Sequence, residues 1–184
     1  MNADVKVVIS GTAGVFPDCE NIDALDRALN RKAHLITDDD RKWEKNDNDA
    51  PIYCGKAISH ERFDATFFNV PFSFPVSMDP ITRQCLETSV EAIIDAGVNP
   101  KSLDGTNTAV YANYDFTEME VMFSEFRRDK VLAGIERCLS ANRLSFCLNL
   151  HGPSCTLAGG WGTFFHLIEK AKEEIQRVTL KLPS

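Results

Sequence analysis

The alternation of apolar and polar positions divides the chain into short strands separated by amphipathic helices. β-Branched and aromatic runs predict strands at residues 5–9 and 108–112, a third at 145–150 and a short fourth at 155–157. Strands that alternate with helices along a chain favour an α/β fold with a partly parallel sheet.

Apolar residues spaced by three and four positions predict helices with recognisable ends. Asn21 is a favoured N-cap for a short first helix. Asp79 followed by Pro80 opens the clearest helix, which Gly97 and Pro100 end. The apolar face of that helix holds Ile81, Leu86, Val90, Ile93 and Ile94.

Two further helices are predicted in the C-terminal part of the chain, the first around residues 119–139. Three glycines precede the last helix, whose apolar positions are Phe164, Phe165, Leu167, Ile168, Ala171 and Ile175. No internal repeat or linker interrupts the pattern, so we expect a single domain over residues 1–184.

Composition narrows the classes of function. Of the 184 residues 43% are hydrophobic, and the net charge is −7 with no basic stripe, which argues against a nucleic-acid partner. No apolar stretch reaches the roughly 20 residues of a membrane span, and the first residues lack a signal sequence. We therefore expect a cytoplasmic protein.

The six cysteines contain no C-x-x-C pair, which favours reduced thiols over a disulfide framework. Cys147, His151 and Cys155 recur every four residues, but this spacing matches no common zinc pattern and lacks a fourth ligand. Buried apolar thiols are the preferred interpretation, and we expect neither a metal nor a cofactor.

Four segments carry a resemblance to one family. They are residues 8–11 with Phe16-Pro17, F-D-A-T-F-F at 63–68, M-D-P at 78–80 with Arg83 and Glu87, and A-N-R-L-S-F at 141–146 with G-P-S at 152–154. In this order they resemble the β-ketoacyl synthase (ketosynthase) domain of animal-type fatty acid synthases and related polyketide synthases. The resemblance covers about residues 5–175.

The resemblance implies a thiolase-like fold of two similar α/β halves, of which this chain is the N-terminal half, a mixed sheet with covering helices. It also implies a decarboxylative condensation in which a cysteine at a helix N-terminus carries the acyl chain. The helix dipole and free amides at that position lower the pKa of the thiol. Two histidines and a lysine further along the family's sequence support decarboxylation.

The residues of this reaction are missing. After G-P-S the family has D-T-A-C-S-S-S, and counting without a gap places Trp161 at the nucleophile position. An indole cannot form a thioester, Thr163 without a base is a poor nucleophile, and Cys155 is expected to pack in the core. His34, His60, His151 and His166 match no family motif, so no catalytic residue is assigned.

Other family positions are kept. Asp79, Arg83, Glu87, Asn142 and Arg143 match the motifs. We expect them to stabilise the fold through polar networks and helix capping rather than to perform the reaction.

Three hypotheses follow. The first is a truncated, catalytically incompetent homologue that binds a second copy, a fatty acid synthase-related protein, or an acyl or lipid ligand, with a dimer contact near residues 154–158. The alternative is a fragment or short product of a fatty acid synthase whose longer form catalyses β-ketoacyl-ACP synthesis. In the third, a ligand-binding loop formed by Gly159, Gly160, Trp161, Gly162 and Thr163 holds an anion or phosphate, with Trp161 as a stacking lid.

Overall fold

Short strands and longer helices alternate along the chain, as the sequence pattern predicts. The computed structural model describes residues 6–38, 53–56, 62–71, 78–114, 139–160 and 162–179. The elements in chain order are α1 (Ile22–Asn30), β1 (Ile36–Thr37), β2 (Cys54–Gly55), α2 (Pro80–Asp95), a 3₁₀ turn (Pro100–Leu103), β3 (Val110–Asn113), α3 (Ser140–Cys147), β4 (Ser154–Leu157) and α4 (Thr163–Thr179).

Two small ladders connect the strands. β1 and β2 are antiparallel, whereas β3 and β4 are parallel, with Val110 opposite Ser154 and Asn113 opposite Leu157. The amide of Tyr114 donates to the carbonyl of Leu157 at 3.1 Å and extends the parallel ladder beyond β3. A parallel pair requires a crossover connection, and α3 lies in that crossover and contacts both strands. The predicted partly parallel arrangement is confirmed.

Two apolar clusters position the helices against these strands. The first consists of Phe68, Met78, Leu86 and Val90, which join the 62–71 segment to α2. The second consists of Val110, Ala141 and Leu150, which join β3 to α3. Leu144 and Leu148 pack against both clusters and make them continuous.

The predicted caps of α1 and α2 are confirmed. Asn21 Oδ1 accepts from the Ala24 amide at 2.8 Å, and Asp79 Oδ1 accepts from the Ile81 amide at 2.9 Å. Gly97, with φ of 73°, follows the end of α2 in the left-handed conformation that favours glycine.

The strand predicted at residues 145–150 is wrong, because most of this segment belongs to α3 and the turn after it. Burial recurs at helical spacing, since Ala141 and Ser145 are buried. Ser145 Oγ donates to the Ala141 carbonyl at 3.1 Å. Asn149, with φ of 49°, then ends the helix in the left-handed conformation, and the Leu150 amide donates to the Ser145 carbonyl.

The strand predicted at residues 5–9 is also wrong over its described part. Residues 6–9 form no strand, and the side chains of Val8 and Ile9 are 77% and 75% exposed. The β-branched run therefore lacks a neighbour to pair with among the described residues.

The helix predicted at 119–139 lies outside the described residues except for Leu139, which precedes α3. The strands at 108–112 and 155–157 and the last helix are confirmed, as β3, β4 and α4. Across the described ranges, no helix is long and apolar enough to cross a membrane.

Candidate functional site

The glycine-rich loop lies between β4 and α4, as the sequence predicts. The Thr163 amide donates to the Gly160 carbonyl at 2.9 Å, and the His166 amide donates to the Gly162 carbonyl at 3.2 Å. Gly159 lies so close to Thr163 Oγ1 that an added Cβ would collide with it. Anion binding by this loop stays a prediction, and the predicted lid, Trp161, lies outside the described residues.

The described cysteines are free thiols, and none lies in the first turn of α4. Cys155 is half-buried on β4, opposite Tyr111, where the sequence predicts a packing role. Burial raises the pKa of the thiols of Cys85 on α2 and Cys147 at the end of α3. A raised pKa disfavours the thiolate, which is the nucleophilic form.

The first three family-matching polar residues lie along α2. Asp79 is fully buried, and while one carboxylate oxygen caps the helix, the other has no hydrogen-bond partner among the described residues. The Nε of Arg83, one turn further, is also buried without a described partner. Burial raises the pKa of the Glu87 carboxyl, which accepts a hydrogen bond from the backbone of Asp64 and so connects α2 to the 62–71 segment.

Tyr114 belongs to the same buried region and was not predicted from the sequence. Its hydroxyl lies 3.3 Å from Thr82 Oγ1 on α2, and the residue is only 5% exposed. Burial, and secondarily the negative charge of Asp79, raise the pKa of the phenol to about 12. The available signal was its position directly after a predicted strand, where a side chain can face the preceding helix.

The other two family-matching residues lie on α3. Asn142 is exposed and Arg143 is half-buried, and both line a cavity between α3 and the 62–71 segment. Burial lowers the pKa of the Arg143 guanidinium, while the charges that Cys147 and Tyr114 can carry act in the opposite direction. Arg143 thereby lies within electrostatic reach of the Tyr114 region, so α2, β3 and α3 contribute to one buried polar area.

This polar area lies between α2, β3 and α3. No contact among the described residues connects it to the glycine-rich loop. Within the described ranges, no group of three or more His, Cys, Asp or Glu side chains is placed to hold a metal ion. The structure thus places Asp79 and Arg143 within electrostatic reach of Tyr114 and leaves the predicted loop as a separate feature.

An α/β unit with a parallel strand pair, covering helices and a glycine loop before the last helix agrees with the thiolase-like fold that the sequence resemblance implies. The family profile of the β-ketoacyl synthase N-terminal domain matches residues 4–177, and the chain belongs to this family. The resemblance stated from the motifs is therefore confirmed, as is the fold class.

Relatives in sequence are a fatty acid synthase and several polyketide synthases. The chain is 34% identical over 173 residues to the fatty acid synthase of the goose Anser anser anser, covering 92% of this chain and 49% of that protein. It is 40% identical over 101 residues to a highly reducing polyketide synthase of Gibberella zeae, covering 53% of this chain and 4% of that protein. The chain therefore spans about half of the goose sequence and a small part of the fungal one.

A solved structure gives the same result for the fold. The ketosynthase from module 6 of the bacillaene synthase of Bacillus subtilis superposes with a TM-score of 0.77 at 26% identity. The match covers 90% of this chain and 29% of that one. The described elements thus correspond to part of a complete ketosynthase.

Proposed function

We propose that this chain is a non-catalytic member of the β-ketoacyl synthase family that acts by binding. The observation that carries the proposal is Trp161, which stands where the resemblance places the acyl-carrying cysteine. An indole ring offers no thiolate and forms no thioester. The raised pKa values of Cys85 and Cys147 support the proposal, because they make a substitute thiolate at either position costly.

Acyl transfer from a simple thioester tests the absence of catalysis. We expect no covalent adduct by intact-protein mass spectrometry after incubation with the decanoyl thioester of N-acetylcysteamine. Trp161→Cys is the matched control, since it restores a thiol just before α4 and should gain one decanoyl group. An adduct on any cysteine of the unmodified chain would contradict the proposal.

Self-association is the proposed mode of action, through the exposed apolar side chains of α4, the helix that follows the dimer contact expected near residues 154–158. Phe164, Ile168 and Ile175 lie on one stripe of this helix and are exposed, and the neighbouring Phe165 is 72% exposed. Leu167, three residues after Phe164, is buried at the edge of this stripe, and α4 contacts β3. Apolar area removed from water contributes about 25 cal/mol per Å², so a face of this kind favours association with a second copy or a fatty acid synthase-related protein.

Light scattering coupled to size-exclusion chromatography at micromolar concentration tests the proposed self-association. We expect the mass of a dimer for the unmodified chain and of a monomer for Ile168→Glu. Arg177→Glu is the matched control, because Arg177 is exposed on the other side of the helix from Ile168 and its replacement should leave the dimer intact. A monomeric unmodified chain would refute self-association and leave a heterologous partner as the alternative.

The cytoplasm is the proposed compartment. The described cysteines are free, which agrees with a reducing environment. Localisation of a tagged protein in intact cells tests this, and a secreted product would contradict it.

A second candidate function is favoured by the partial coverage of the relatives. Because the chain spans 49% of the goose fatty acid synthase, it fits equally a fragment or short product of a synthase whose longer form is the enzyme. Long-read sequencing of transcripts distinguishes the two. Transcripts that contain a D-T-A-C segment and continue into the family's histidines and lysine would favour the enzyme.

A further inference from the structure

An open groove runs beside α4, where residues of α2, β3 and α3 also line it. Its volume is about 550 Å³. The base of the groove contains Val110, Ala141 and Leu167, which are 8%, 1% and 4% exposed. Cys85 and Ser89 of α2 contribute to the lining as well. We call this feature the α4 groove, and four elements of the fold hold its shape.

The side of the groove formed by α4 has the pattern of a helix-packing surface. Phe164, Ile168 and Ala171 line the groove, and Ile175 continues the same stripe by one more turn. The spacing of four, three and four residues is that of the seam along which two helices pack. Phe164, Ile168 and Ile175 are nevertheless 55%, 41% and 49% exposed. The stripe therefore has room for a second helix.

The chemistry of the α4 groove selects an uncharged occupant. None of its described lining residues is charged, and the hydroxyl of Ser89 already donates to the carbonyl of Cys85 at 2.6 Å. A charged side chain entering the groove would lose hydration without gaining a partner of opposite charge. The stripe of α4 meets this requirement, because the exposed charges of Glu173 and Arg177 lie on the other side of the helix from Ile168.

We propose that the α4 groove receives α4 of a second copy, packed antiparallel, with Ile168 of each copy facing Ile175 of the other. The same stripe borders the groove and fills it, so one twofold axis satisfies both copies at once. An antiparallel pair also places the positive end of each helix dipole beside the negative end of the other. This inference rests on the proposed self-association and adds the face, the orientation and the residue pairing.

Alkylation of Cys85 by iodoacetamide, read by peptide mass spectrometry, tests whether the groove is covered. The unmodified dimer should react several-fold more slowly at Cys85 than Ile175→Glu, which is expected to be monomeric. Ile175 lies outside the groove lining, so its replacement leaves the groove itself unchanged. Cys54 on β2 is the internal reference and should react equally in both proteins. Equal rates at Cys85 in a dimeric chain and in Ile175→Glu would overturn the proposal.

Mixtures of charged variants test the orientation of the two helices. Ile168→Glu and Ile175→Lys should each be monomeric alone and should form a heterodimer when mixed, because the new carboxylate of one copy faces the new ammonium of the other. Ile168→Glu mixed with Ile168→Lys is the matched control and should stay monomeric, since antiparallel helices do not pair position 168 with itself. A heterodimer in the control mixture alone would indicate parallel helices and overturn the proposal.

Filling the groove from α2 separates this inference from self-association in general. Ser89→Trp places an indole ring in the groove and should yield a monomer by light scattering, with an unchanged circular dichroism spectrum. Glu91→Trp is the matched control, because Glu91 is exposed on the same helix outside the groove lining and should leave the dimer intact. A dimer of folded Ser89→Trp would overturn the groove while self-association stands. A monomeric unmodified chain would contradict both.

Discussion

Ionisation of Tyr114 is expected to govern stability at alkaline pH. The phenol is buried beside Thr82 and Asp79, and its pKa is raised to about 12 from an ordinary value near 10. The native state therefore holds the neutral phenol. The stabilisation is fully present below the pKa of the unfolded chain and is lost as pH rises through the pKa of the folded one.

The size of the effect follows from the shift. A rise of about two pKa units corresponds to at most about 2.7 kcal/mol of stability, since one unit is about 1.36 kcal/mol. Removing the hydroxyl in Tyr114→Phe also removes its 3.3 Å contact with Thr82 Oγ1, which costs about 0.5–1.5 kcal/mol at neutral pH. The unmodified chain should thus be the more stable one at pH 8, and Tyr114→Phe the more stable one above pH 11.

Urea unfolding followed by circular dichroism, from pH 8 to pH 12, measures this crossover. The difference in unfolding free energy between the chain and Tyr114→Phe isolates Tyr114 from the other groups that ionise in this range. Tyr111→Phe, three residues earlier on β3, controls for the loss of one phenol. A difference that stays constant over the whole pH range would refute the reasoning, because the hydroxyl would then ionise equally in both states.

Three further predictions concern packing and charge. Leu86→Ala should lower the unfolding free energy by about 2–5 kcal/mol in urea titrations, since Leu86 is buried between Met78 and Val90; a loss below about 1 kcal/mol would show a loosely packed cluster. Gly152→Ala should cost about 1–3 kcal/mol in the same assay, because its Cβ would meet the backbone of Thr108, and a neutral effect would contradict that close approach. Glu87→Gln should raise the melting temperature at pH 7 but not at pH 3, since burial raises the pKa of this carboxyl and its ionised form destabilises the fold; equal shifts at both pH values would count against it.

Local features of the fold could be predicted from the sequence because their causes are local. The caps by Asn21 and Asp79 depend on a side chain and an amide two or three residues away. Glycines separate β4 from α4, so that the alternating pattern of the strand ends before the helical pattern begins. These elements were assigned correctly for the same reason, since neighbouring residues contain the whole signal.

The segment at 145–150 shows where local reasoning fails. A short apolar run is compatible with a strand or a buried helix, and its period does not decide between them. The decision comes from distant contacts, since the Ala141 amide at the start of α3 donates to Thr156 Oγ1 on β4 at 3.1 Å. The strand predicted at residues 6–9 is wrong for a different reason. A run of strand-forming residues forms no ladder when no neighbouring strand pairs with it among the described residues.

Only part of the candidate site could be predicted from the sequence, for a related reason. Arg143 could be named from its motif, but its place in the cavity between α3 and the 62–71 segment depends on Phe68 and Met78, which are distant in sequence. Tyr114 and Thr82 are separated by 32 residues, and no pattern joins them before the chain folds. Motifs therefore identified residue types, while the cavity and the buried phenol required the tertiary structure.

Retention of the family's polar residues does not argue for retained catalysis. Asp79 is fully buried and caps α2, and Glu87 links that helix to the backbone of Asp64, so both make contacts within the fold whatever the chain does. The acyl-carrying cysteine of the family has no such structural role. A nucleophile must contact the substrate, and its replacement leaves the helix caps unchanged. A chain that keeps the first group and has Trp161 in place of the second agrees with the proposed binding function.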